Sequence, residues 1–217
     1  MLRRPAHTIL RRNEGVAAVE FALILPLLVL LFFGVIEISN LLIADSKLRN
    51  VAASISDLLT QKSNATVSAI DMNVANLAAM EIMRPLPVST RLEVLMTVYR
   101  PADETEAQVV WTRLIEGGVT GNKTTSALGL TVPSCTDKSL PSELLPPSST
   151  SPMNDVLMVT AAYRWSPWFL NIFDSDIVLQ STNYNMPRYS LILNAGPTLV
   201  PPRSEEHTSE LQSPCNL

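Results

Sequence analysis

Glu20 is a carboxylate set inside an apolar run: residues 15–38 read GVAAVEFALILPLLVLLFFGVIEI, with Glu20 about a turn inside the start. In a membrane helix a charge costs on the order of 2.5–3.5 kcal/mol at the bilayer centre and less near the edge. A chain built only to be anchored would carry Leu there, so this carboxylate is the best pointer to function. Gly15 and Val16 stand just before it and Phe21 just after. Val16 and Glu20 are four apart and share one helical face.

The rest of the chemical inventory is thin. His7 precedes the apolar run and His207 lies near the end, so the region between has no histidine for a general base or a nucleophile relay. Cys135 and Cys215 are the two cysteines, too few for a zinc site. Asp103, Glu104 and Glu106 lack the EF-hand pattern and its Gly, and read as a solvated turn. Asp174 and Asp176 read as loop or cap rather than a carboxylate dyad. Trp165, Trp168 and Phe169 in RWSPWF form either core and membrane-facing aromatics or an exposed docking patch. The tripeptides at Asn64 and Asn122 match the glycosylation pattern by chance. No catalytic residue, cofactor or metal is expected, and the chain reads as a non-enzyme without a small-molecule substrate.

Net charge is −4, with no basic block beyond the first dozen residues and seven glycines in no phosphate-loop pattern. Nothing supplies a basic stripe, so nucleic acid is not an expected partner. The lipid bilayer is. Val16 to Ile36 is apolar apart from Glu20 and Gly34, and at about 1.5 Å per residue it spans about 31 Å, a hydrocarbon core. That exceeds a secretory h-region, and Ile38-Ser39-Asn40 makes a poor cleavage box. Arg3, Arg4, Arg11 and Arg12 precede the run, against Lys47 and Arg49 after it. The bias predicts an inner-membrane, single-pass protein with its N-terminus cytoplasmic and its C-terminal domain periplasmic.

Beyond the membrane the helix continues. Leu41, Ala44, Leu48, Val51, Ile55 and Leu58 recur at 3-4 spacing, predicting one helix of about 45 residues whose second half packs on a soluble domain. Ser68 with Asp71 resembles a capping box, and Ile70, Val74, Leu77, Ala78 and Ile82 then mark the apolar face of a second helix, ended by Pro85 and Pro87. Strands are predicted over 92–98, 107–115, 155–163 and 177–185. Residues 117–154 read as loop that Leu128, Leu130 and Val132 anchor. Two helices followed by an antiparallel sheet of about four strands make an α+β fold. The expected organisation is a basic leader over 1–15, a transmembrane helix over 16–38, its extension over 39–62 and an α+β domain over 63–202.

Arg203 to Ser213, RSEEHTSELQS, resembles the conceptual translation of a sequencing adapter. Residues 203–217 are therefore set outside the fold as an artefactual tail. Cys215 goes with them, leaving Cys135 either free or paired with a cysteine of a lost C-terminus.

The basic leader, Gly15, four apolar residues, Glu20 and Phe21 together are similar to the processing motif of type IV pilin precursors. RRNEGVAAVEFALILPLL resembles the N-terminus of the TadE/TadG-like proteins of the tight-adherence (Tad, or Flp) pilus system. The resemblance covers about 35 residues closely and the rest only in layout. It implies cutting of the Gly15–Val16 bond by a prepilin peptidase, Glu20 and Phe21 as assembly residues, and other pilus-assembly subunits as partners. Phe21 departs from the Tyr common in small pilins of this class. The function implied is that of a minor pseudopilin or assembly component in adherence-pilus biogenesis. The competing reading is a generic single-pass periplasmic binding or sensor domain; a membrane-anchored enzyme comes third.

Overall fold

A single helix opens the structure: α1 runs without interruption over Glu14–Thr60, 47 residues with Pro26 inside. The computed structural model describes residues 14–62, 66–101, 107–117, 119–123, 125–133, 144, 154–167, 176–188 and 194–195. After α1 come β1 (Thr66–Val67), α2 (Ala69–Met83), β2 (Leu92–Pro101), β3 (Ala107–Glu116), β4 (Val119–Lys123), β5 (Val156–Trp165), β6 (Ile177–Asn185) and β7 (Asn194–Ala195). The fold is α+β. The chain divides into two compact units, and within α1 the boundary falls between Leu41 and Leu42.

The first unit contains α1 up to Leu41. Its aliphatic and aromatic side chains are exposed on every side of the helix from Val16 to Phe32. A helix apolar all round is stable only where water is absent, in a core or a bilayer.

In the second unit α1 has a buried stripe. Ala44, Leu48, Val51, Ala52, Ile55 and Leu59 are fully buried; of the expected stripe Ala44, Leu48, Val51 and Ile55 lie inside, while Leu41 and Leu58 are only half-buried and Leu59 takes the inner side. Asn183 of β6 donates to Ser56 Oγ at 2.9 Å, and the Arg188 N–H donates to the Thr60 carbonyl at 3.0 Å. α1 therefore lies on the sheet face that carries Asn183. α2 runs antiparallel to it: Lys62 pairs with Asp71 at the start of α2, and Lys47 Nζ donates to the carbonyls of Ile82 (3.0 Å) and Arg84 (2.6 Å) at its end.

The Ser68–Asp71 capping box is present: the Asp71 carboxylate accepts from the Ser68 N–H at 2.7 Å, and Ser68 Oγ accepts from the Asp71 N–H at 3.4 Å. The face of α2 is a correction. Ile70 and Leu77, expected inside, are 73% and 64% exposed, and Val74 is exposed too. Met72, Ala75, Asn76, Ala79 and Met83 are buried instead. Lysines at both ends fix the helix's rotation, and the small Ala75 and Ala79 let its backbone come close to what it packs on.

The main sheet has five strands in the order β4-β3-β2-β5-β6, each neighbouring pair antiparallel. Four were expected. The fifth, β4, falls in the stretch read as loop; Val-Thr-Gly-Asn-Lys has little strand character, and it pairs with β3 across a register shift between Leu114 and Glu116. β1 and β7 form a separate, short parallel pair. Central β2 is buried from Leu92 to Tyr99, not half-buried as its alternation implies. On the face opposite α1 the loop over 125–133 covers one end, where Leu128 and Leu130 pack with Leu95, Leu114 and Ala162 and Val132 adds to the cluster, and Tyr99 is buried in a second cluster with Ala107, Val109 and Val156. Residues 134–143, with Cys135, and residues 189–193 and 196–217 lie outside the described residues.

Candidate functional site

α1 carries all four residues singled out for processing and assembly. Gly15 and Val16 sit in its first turn, Glu20 and Phe21 in its second. Nothing lies within 4 Å of the place a Gly15 side chain would occupy. Val16 and Phe21 are 57% and 60% exposed, and Glu20 is exposed as well. Among the described residues none pairs with Glu20. The helix thus presents a lone carboxylate on an apolar surface that none of the described residues covers. Such a group is compatible with hydrocarbon only if a cation or donor from elsewhere meets it, or if it reaches the interface. Val16 stands one turn away on the same face, so an α-amino group created at Val16 would lie within reach of this carboxylate or of a neighbour's. Negative charge near a new helix N-terminus is further favoured by the helix dipole.

The second unit uses its buried polar groups to hold the fold. Glu93, 1% exposed, accepts from Ser126 Oγ and from the N–H groups of Ala127 (2.9 Å) and Leu128 (3.2 Å). It pins the covering loop. Fully buried Asp155 accepts two hydrogen bonds from Arg100, at 2.9 and 3.1 Å, and this carboxylate raises the already high pKa of Arg100. Glu37 is buried near the end of the apolar run. Neither Glu93 nor Asp155 stood out in the sequence, because their partners are remote along the chain.

The remaining sequence candidates are dispersed. Trp165 is buried, hence core; Trp168 and Phe169 lie outside the described residues, as do Asp103, Glu104, Glu106 and Asp174. Asp176 is an exposed acceptor for Ser166 and lies 3.9 Å from Arg164 Nε. Among the described residues no group of three or more His, Cys, Asp or Glu side chains is placed to hold a metal ion. α1 is the one described helix long and apolar enough to cross a membrane, which fits a single-pass membrane protein.

Comparison with protein families gives a match that falls on this helix. Residues 15–56 match the family of TadE-like proteins. The TadE-like segment begins at Gly15, takes in Val16, Glu20 and Phe21, and ends on the buried stripe of α1 just after Ile55. It joins the exposed apolar part of the helix to the part that packs in the second unit. Comparison with curated proteins and with solved structures gives no match.

Proposed function

We propose that the chain is a membrane-anchored minor pseudopilin or assembly component of a Tad-type (Flp) pilus, acting through helix–helix and domain contacts rather than catalysis. One observation carries the reading: the TadE-like match falls on the helix that is apolar all round, exposed, and marked by one carboxylate. α1 lies in the bacterial inner membrane with its arginine-flanked start in the cytoplasm, and the second unit is periplasmic. Prepilin peptidase cuts the Gly15–Val16 bond. Glu20 then meets the new α-amino group of a neighbouring subunit, so its membrane cost is offset only in the assembly. The outward aliphatic residues of α2 offer a second contact surface for adherence-pilus subunits.

Intact-mass measurement of the protein extracted from membranes tests this reading. Loss of the first fifteen residues is expected; a chain retained with its leader would favour an anchored binding or sensor domain.

A further inference from the structure

The two edges of the five-stranded sheet are built differently. At one edge β4 is five residues long, contains Gly121, ends in Lys123 and pairs with β3 only from Leu114 to Glu116, across a register shift; among the described residues the rest of that edge is β3 over 107–113, which is bulged at Val110. Short length, irregular pairing and a terminal lysine are the usual defences against strand addition. At the other edge β6 is nine residues long and pairs with β5 at every residue without a shift. From Ile177 to Asn185 it reads IVLQSTNYN, with no charge, no proline and no glycine. Among the described residues no strand lies beyond it. Every second residue of such a strand turns both its N–H and its C=O outward, so β6 presents an undefended ladder.

We propose that β6 pairs antiparallel with β6 of a second copy of this chain, about a two-fold axis at Ser181, joining the two sheets. The side chains fit that register. Val178, Gln180, Thr182 and Tyr184 share the face opposite Asn183, and the two-fold sets Val178 across from Tyr184, a favourable aromatic–β-branched pair, and Gln180 across from Thr182, whose amide and hydroxyl can hydrogen-bond. The charges at the strand's ends are met within each copy, Asp176 beside Arg164 and Arg188 on Asp57, so the direction rests on the side-chain pairs. Self-pairing of this kind is isologous and closes at two copies. The inference rests on the sheet edge alone, so an uncut leader would leave it intact.

Cysteine crosslinking of the full chain in native membranes tests it, with Cys135→Ser and Cys215→Ser as background. Directly opposed residues in an antiparallel pair have Cα atoms about 4.5–5.5 Å apart, inside the range a disulfide spans. Under mild oxidation Ser181→Cys should give a dimer band at least about tenfold stronger than Gln108→Cys, an exposed control on β3. Adding Gln180→Lys with Thr182→Lys should abolish the band, because the two-fold sets like charges face to face. Adding Gln180→Lys with Thr182→Glu should restore it. Both double variants lose the Thr160–Thr182 hydroxyl contact equally, so the contrast reads the seam and not the fold. A Ser181→Cys band no stronger than the control, a crosslink only to a different protein, or equal bands from the two double variants would overturn the proposal.

Discussion

Burial alone would raise the pKa of Asp71. The Lys62 ammonium and the Ser68 hydroxyl and N–H outweigh it and hold the carboxyl below its usual value of 3.8. A carboxylate with a depressed folded pKa contributes stability that is fully present above its unfolded value and is lost as pH falls through the folded one. Asp71→Asn should therefore cost about 1 kcal/mol near neutral pH, the scale of a helix cap. That difference should hold constant above about pH 5 and shrink as pH falls below about 4. Urea unfolding at several pH values measures it; a difference that grew on acidification would contradict a depressed folded pKa for Asp71. Ser68 and Asp71 were legible because a capping box is a local pattern of two residues three apart. Glu93 was not. Its partners lie 33 to 35 residues onward, and alternation in β2 carries no trace of the loop that folds over it.

Within α2 the same contrast holds between pattern and packing. Periodicity located the helix and its limits, yet chose the wrong face, because the longest aliphatic side chains are the ones left outside. Small residues and two lysine tethers decide which face turns in, and hydrophobicity gives them no weight. Ile70→Ser together with Leu77→Ser should change stability by no more than about 0.5 kcal/mol. Ala79→Leu, which overfills a closed position, should cost about 1–3 kcal/mol. Denaturation midpoints of the two variants give the ranking, and the opposite order would return the helix to the face its periodicity suggested. The strands show the reverse balance. The ranges expected for the four long strands lie within a few residues of the elements found, while β4 escaped notice because its residues form a strand only by pairing with β3.

Across the whole molecule, one helix belongs to two environments. From Val16 to Phe32 α1 exposes apolar side chains on every side, broken only by Glu20, and from Ala44 it buries a single stripe in a folded α+β unit. That division was readable from the change in periodicity along one uninterrupted helix. Glu20 stood out in the sequence only as a misfit, and among the described residues nothing meets it. Its proposed partner belongs to another subunit, so the decisive measurement is made on the assembly. Glu20→Leu should insert in the membrane at wild-type levels, because it removes an unfavourable charge from the apolar run. Pilus production by a strain carrying it, and co-purification of other pilus subunits with it, should both be lost. Wild-type pilus production with undiminished co-purification would contradict the assembly role of this carboxylate.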